Sequence, residues 1–211
     1  MDKAINIGNL AGWSVLLFHV GGSLFLDPHG FRQADLTFDI YFLRFIQLFQ
    51  VIDLLFVILG WSKGTIVGGF FQILGRNIVA LYFMTPEVDN LKLAWVMVIW
   101  SMAEVNRYLY YTFKTNPITG FLRYNSFMVL YPVGVAGEMF VINNFIYLHA
   151  ETLSELEINF FRFVQGCIIL GMVLLYAHML KSRAKYYRSL KQAKPEESER
   201  VKSPLRSSKR D

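Results

Sequence analysis

The chain has 211 residues, 54% of them hydrophobic and 16% aromatic, with a formal net charge of +5 and a mean hydropathy of +0.36. An ordinary soluble domain is about 45 to 50% apolar, so this balance excludes a water-soluble globule and points to a chain solvated by lipid. The lone cysteine, Cys167, excludes a disulfide framework and a thiolate metal site, and its apolar flanks read as those of a small buried helix residue.

Six apolar segments follow in chain order, at residues 8–26, 41–60, 64–84, 92–113, 122–148 and 157–180. A helix needs about 20 apolar residues to cross a bilayer. The expected fold is therefore all-α and polytopic, six transmembrane helices in one bundle over residues 1–180. The first helix reads as retained, because residues 1–9 run straight into a long apolar segment rather than into a short core with a cleavage site. His19, alone in that segment, reads as a hydrogen-bonded core histidine. Gly8 and Gly12, and again Gly64 and Gly68, match the GxxxG spacing that lets helix backbones approach closely.

On the second segment Gln50 and Asp53 share a face, and on the third Gln72 and Arg76 do; both pairs read as hydrogen-bonding partners between helices. Arg44, near a segment end, is placed to snorkel toward the headgroups. Trp61-Ser62-Lys63 reads as a tight hairpin between the second and third helices.

After Leu180 the composition changes. Residues 181–211 hold eleven Lys/Arg against four Asp/Glu, an excess of seven positive charges, while the remaining residues hold ten against twelve. This segment reads as a basic cytoplasmic tail, without fixed structure beyond about Ser189. Basic residues mark the cytoplasmic side, and six crossings return the N-terminus to that side. Lys63, Lys114 and Arg123 agree with this orientation, as does a loop at 150–157 with three glutamates and no Lys or Arg; Lys92 and Arg32 vote against it.

The polar residues within the apolar segments carry the functional argument. A carboxylate at membrane depth is disfavoured by about 2.5 to 3.5 kcal/mol on insertion scales, so it faces protein or water. On the fourth segment Glu104, Arg107, Tyr108 and Tyr111 fall within one sector of roughly 100°. Glu104 and Arg107 read either as an intrahelical ion pair or as a substrate contact. On the fifth, Tyr124, Tyr131 and Glu138 are spaced by seven, each about 20° around the axis and about 10.5 Å along it from the last. Gly134 lies between Tyr131 and Glu138 on that face. Pro132 frees the carbonyl of Met128 and should kink the helix beside the pair. No His, Asp and Glu set has metal-ligand spacing. Physics alone leaves enzyme, transporter and structural packing open for Tyr131 and Glu138.

The run Arg123-Tyr124, Phe127, Leu130-Tyr131-Pro132, Gly134 and Gly137-Glu138 resembles the hallmark of the 3-hydroxyacyl-CoA dehydratase family, historically called protein tyrosine phosphatase-like proteins. Glu104-Val105-Asn106-Arg107-Tyr108 and Tyr176-Ala177-His178-Met179-Leu180 are similar to two further blocks of that family, so the resemblance covers roughly residues 41–188. It implies a lyase of very-long-chain fatty acid elongation, converting a (3R)-3-hydroxyacyl-CoA to the trans-2-enoyl-CoA with Tyr131 and Glu138 as the catalytic pair. Arg123, Tyr124, Gly134, Glu104, Arg107 and Tyr108 are expected to bind substrate or support the pair. No cofactor, metal or nucleic acid is expected. The expected partners are acyl-CoA, the lipid bilayer, and elongase and reductase enzymes; the expected place is the endoplasmic reticulum membrane. A non-catalytic scaffold for elongase subunits is the alternative.

The elimination needs a base for the proton α to the thioester and an acid for the departing β-hydroxyl. A lipid-shielded carboxylate is a stronger base than one in water, and a shielded phenol stays a neutral donor. That favours Glu138 as base and Tyr131 as acid, with the reverse open if a cation such as Arg107 stands beside the phenol. The acyl chain is expected in an apolar tunnel, with the CoA phosphates near Lys63, Lys114 and Arg123, the last able to pair bidentately. A tyrosine phosphatase would need a cysteine in a phosphate-cradling loop with a nearby Arg. Cys167 has neither.

Overall fold

The computed structural model describes the backbone at residues 2–31, 34–60 and 66–207, and the side chains there except at 2, 53, 57, 66–71 and 193–207. Its elements are α1 (Asp2–Leu26), α2 (Pro28–Phe31), α3 (Thr37–Ile58), α4 (Ile66–Ile78) continued by a π-helical turn (Val79–Phe83), α5 (Asn90–Thr112), α6 (Pro117–Asn125), α7 (Phe127–Leu148) and α8 (Glu155–Ser207). No strand occurs among the described residues. The reading of Trp61-Ser62-Lys63 as a hairpin, Arg32, Asp53 and the Gly64/Gly68 pair lie outside the described residues or side chains.

Local chemistry fixes the helix starts. The Asp89 carboxylate accepts from the Leu91 and Lys92 amides at the head of α5, and Asn116 accepts from Ile118 with Pro117 in the first turn of α6, each satisfying donors that a helix start leaves free. Ser154 and Glu157 form a reciprocal capping box at the head of α8: the Ser154 amide donates to Glu157 Oε2 at 2.8 Å and the Glu157 amide to Ser154 Oγ at 3.3 Å. That Ser-x-x-Glu spacing is a sequence signal for a start two residues before the one expected.

Each long helix neighbours two others. α1 packs on α3 and α5, α5 on α7, α7 on α8, α8 on α4 and α4 on α3, so the helices close a ring, with α6 lying across α5, α7 and α8. Small residues allow the tight crossings. A Cβ at Gly137 would sit 2.5 Å from Trp95 Cδ1, and one at Gly12 would sit 2.9 Å from Ile46 Cγ2. The Gly12 half of the first GxxxG pair thus packs α1 on α3, whereas Gly8 meets nothing. The core includes Trp13, Leu16, Leu43, Met97, Trp100 and Ile142, all essentially inaccessible.

Among the described residues, three helical stretches are long and apolar enough to cross a membrane: Lys3–Leu26, Phe127–Leu148 and Glu155–Gln192. The other apolar segments are helical too, but α3 carries Asp39, Arg44 and Asp53, α5 carries Lys92, Glu104 and Arg107, and α4 has only 13 residues before the π turn.

Five expectations change, the last of them at Arg44. The fifth segment divides at Ser126 into α6 and α7, so Tyr124 belongs to α6, although Ser126 keeps helical dihedrals (φ −60°, ψ −32°) and Tyr124 lines the same cavity as Tyr131 and Glu138. α8 runs unbroken from Glu155 to Ser207, so the backbone is helical beyond Ser189, where no fixed structure is expected. Cys167 is exposed, and it lies on the wall of the large cavity described below. His19 does hydrogen-bond, its Nδ1 lying 2.7 Å from Asp39 Oδ1, but the exposed member is the histidine and the buried one is Asp39.

Arg44 does not snorkel. Its Nε donates to the Ala80 carbonyl at 3.0 Å, and Nη2 to those of Leu81 and Met84 at 3.3 and 3.0 Å. A helix end buried in a protein must satisfy its last carbonyls somewhere. The guanidinium does this for the π turn, whose own i to i+5 bond joins the Met84 amide to Val79.

Candidate active site

α5 and α7 cross at Gly134 and Gly137, and the crossing places Glu138 over Trp100. The indole Nε1 donates to Glu138 Oε1 at 2.9 Å, and the carboxylate is 7% exposed. A buried carboxylate is costly unless it is hydrogen-bonded. Trp100, one turn before Glu104 on α5, supplies the donor. Above its ring stands the Arg76 guanidinium, 5.3 Å from the centroid, a cation–π distance.

Arg76, from α4, pairs with Glu104, and Arg107 Nη2 lies 2.6 Å from the other Glu104 oxygen. The intrahelical ion pair expected for Glu104 and Arg107 is therefore present, and Arg76 ties it to a second helix. Arg107 also donates to the Tyr108 hydroxyl at 2.9 Å. With both carboxylates ionised, Arg76, Arg107, Glu104 and Glu138 carry no net charge, the balance a lipid-shielded site tolerates. The Arg76 charge acts electrostatically on Tyr131 as well as on Glu138.

These groups line a cavity of ≈ 580 Å³ between α4, α5, α6, α7 and α8. Tyr131, Gly134 and Glu138 are on its wall, as the seven-residue spacing predicts. Arg76, Glu104, Arg107, Tyr111, Arg123 and Tyr124 are there too. Tyr124 arrives from α6 rather than from the α7 face, its ring stacked on Tyr186 at 4.2 Å. Arg123 stands 5.9 Å from the centroid of the Tyr111 ring, at the end of the cavity that Ser182 lines. Tyr108 is fully buried and is not on the wall. Lys114 is exposed in the turn between α5 and α6 and is not on the wall either; Lys63 lies outside the described residues.

No hydrogen bond joins Tyr131 to Glu138 among the described residues. The ring of Tyr131 lies instead against that of Tyr176 from α8, 6.5 Å between centroids. Tyr176 also answers the question Pro132 raises, since its hydroxyl donates to the Met128 carbonyl at 3.5 Å, the oxygen left free by the missing proline amide. Three residues beyond those expected thus shape the site. Trp100 and Glu104 are spaced by four, which puts the indole on the polar stripe of α5; Arg76 reads from sequence only as a hydrogen-bonding partner, and Tyr176 only as part of a family block. No group of His, Cys, Asp and Glu able to hold a metal ion occurs among the described residues.

A helical protein with spans fit for a bilayer thus encloses a cavity whose wall carries three phenols, two carboxylates and three guanidiniums. The chain belongs to the family described as protein tyrosine phosphatase-like protein, PTPLA, which matches residues 47–189. It is 28% identical over 145 residues to the very-long-chain (3R)-3-hydroxyacyl-CoA dehydratase 1 of Ovis aries, covering 65% of this chain and 49% of that protein. It is 24% identical over 198 residues to the very-long-chain (3R)-3-hydroxyacyl-CoA dehydratase of Danio rerio, covering 84% and 53%. Against the very-long-chain (3R)-3-hydroxyacyl-CoA dehydratase 2 of Homo sapiens it is 32% identical over 107 residues, covering 47% and 42%. The chain spans about half the length of the curated relatives it matches. No solved structure matches it.

Proposed function

We propose that this protein is a hydro-lyase that dehydrates a very-long-chain (3R)-3-hydroxyacyl-CoA to the trans-2-enoyl-CoA. The observation that carries this reading is that Tyr131 and Glu138 line one shielded cavity, with Glu138 held by Trp100. Glu138 takes the proton from C2; that electron pair becomes the C2–C3 double bond. The C3–O bond breaks, and the leaving hydroxyl takes a proton from Tyr131 to depart as water. Transfer of the proton from Glu138 back to the phenolate resets the site. Arg76, whose charge is felt at both groups, offsets the negative charge that develops on the thioester. The bulky substrate accounts for a cavity at membrane depth.

In this reading all six apolar segments cross the membrane of the endoplasmic reticulum, both termini are cytoplasmic, and residues 181–211 form a basic cytoplasmic tail. Each tail Lys or Arg near an anionic leaflet adds about 1 kcal/mol of attraction. The CoA phosphates lie at the cytoplasmic mouth against Arg123. Elongase and reductase enzymes of the same cycle supply the hydroxyacyl substrate and consume the enoyl product. The test is direct: purified protein incubated with a long-chain 3-hydroxyacyl-CoA yields the enoyl-CoA, whereas a scaffold that only gathers elongase subunits yields none.

A further inference from the structure

A second cavity, of ≈ 520 Å³, lies between the α4–π segment and α8, and it shares Leu74, Ile78, Phe160 and Val164 with the first. Its wall is apolar apart from Asn77, Glu157 and the Tyr82 hydroxyl. Its shape is the informative part: Leu74 is 46% exposed, Tyr82 50% and Phe160 58%. These residues face outward, so the annex is a slot in the side of the helix ring rather than a closed end. The π turn, held by Arg44, contributes Tyr82 to its rim.

The first cavity follows α8 from Phe160 to Ser182, which at 1.5 Å per residue is about 33 Å of helix, the thickness of a bilayer's hydrocarbon core, about 30 Å. Its Ser182 end carries Arg123, Tyr124 and Tyr111. Its Phe160 end is apolar and meets the slot. A chain whose reacting carbons sit at Tyr131 and Glu138 therefore points its far end at the opening.

We propose that the slot is a lateral portal through which the far end of the acyl chain passes into the bilayer, so that the site does not measure the length of its substrate. This rests on the acyl-CoA reading above. Lipid tails are as apolar as leucine side chains, so a methylene that leaves through the portal gives up no burial. Pushed into water instead, each would lose about fourfold in affinity, and a closed end would reject the chain sterically.

The test uses the full chain in lipid nanodiscs with a series of saturated 3-hydroxyacyl-CoAs of increasing length. The wild type is expected to reach a plateau in kcat/KM, flat within about threefold over the longest members. Val164→Trp and, independently, Leu74→Trp narrow the passage and should lower the ratio of long-chain to short-chain kcat/KM at least tenfold. A wild-type profile that falls steeply above one length, or ratios unmoved in both folded variants, overturns the portal. A second readout needs no turnover: an acyl-CoA with a diazirine at its last carbon should label Tyr82, Phe160 or nanodisc lipid, and labels confined to other sites contradict the proposal. Turnover without these labels removes the portal alone. Labels without turnover at any length remove the dehydratase reading alone.

Discussion

Trp100 donates its indole hydrogen to Glu138 across the α5–α7 crossing, 2.9 Å from nitrogen to oxygen, and so fixes one oxygen of a carboxylate on a residue that lines the cavity. Hydrogen bonds to charged groups contribute about 1.5 to 3 kcal/mol. Trp100→Phe keeps an apolar ring and removes the donor. The expected outcome is a drop in kcat of roughly 10- to 150-fold with KM changed far less, because the lost contact orients a reacting group and does not hold substrate. Steady-state kinetics across substrate concentration check it; an unchanged kcat contradicts the orienting role.

The Glu104 carboxylate sits between Arg76 and Arg107 at 1% exposure. Removing one member of a buried ion cluster leaves charge without compensation and costs about 3 to 5 kcal/mol. Glu104→Gln should therefore lower the midpoint of thermal unfolding in detergent markedly. Glu104→Gln combined with Arg76→Met takes out one charge of each sign and should recover part of the loss.

Gly137 admits the Trp95 ring, whose Nε1 donates to the Val133 carbonyl at 3.1 Å. Gly137→Ala must displace that ring or part the helices, and overpacking of this kind costs about 1 to 3 kcal/mol. Gly166→Ala, where a Cβ meets nothing within 4 Å, is the control expected to leave the midpoint unchanged. Equal midpoints for the two variants contradict the tight crossing.

Arg44 gives its hydrogen bonds to the carbonyls of Ala80, Leu81 and Met84. Arg44→Met preserves much of the side-chain bulk but strands these acceptors, each worth about 1 to 3 kcal/mol when buried without a partner. Hydrogen exchange should rise in residues 79–84 and change little in α7; uniform exchange across both regions contradicts a local role.

The relation of Tyr131, Gly134 and Glu138 was legible in the sequence because α7 stays helical through Pro132, so a spacing of seven keeps its meaning. Tyr124 sits on α6, beyond the junction at Ser126, but Ser126 keeps helical dihedrals and Tyr124 lines the same cavity. The Glu104–Arg107 pair was readable because it is local, three residues apart on one helix. Arg76 and Trp100 were not, since their roles depend on which helices pack together, and periodicity does not encode neighbours. Cys167 differs from its reading because its apolar neighbours line a cavity, and an apolar context does not distinguish a cavity wall from a packed core.

The central claim is that a phenol and a carboxylate lining one cavity exchange protons with a bound thioester. The most direct measurement is enoyl-CoA formation by wild type, Tyr131→Phe and Glu138→Gln, purified side by side with their thermal midpoints recorded. Each substitution removes one proton-transfer group and is expected to lower turnover by at least about 100-fold while the fold persists. Near-wild-type turnover by either folded variant would contradict the account.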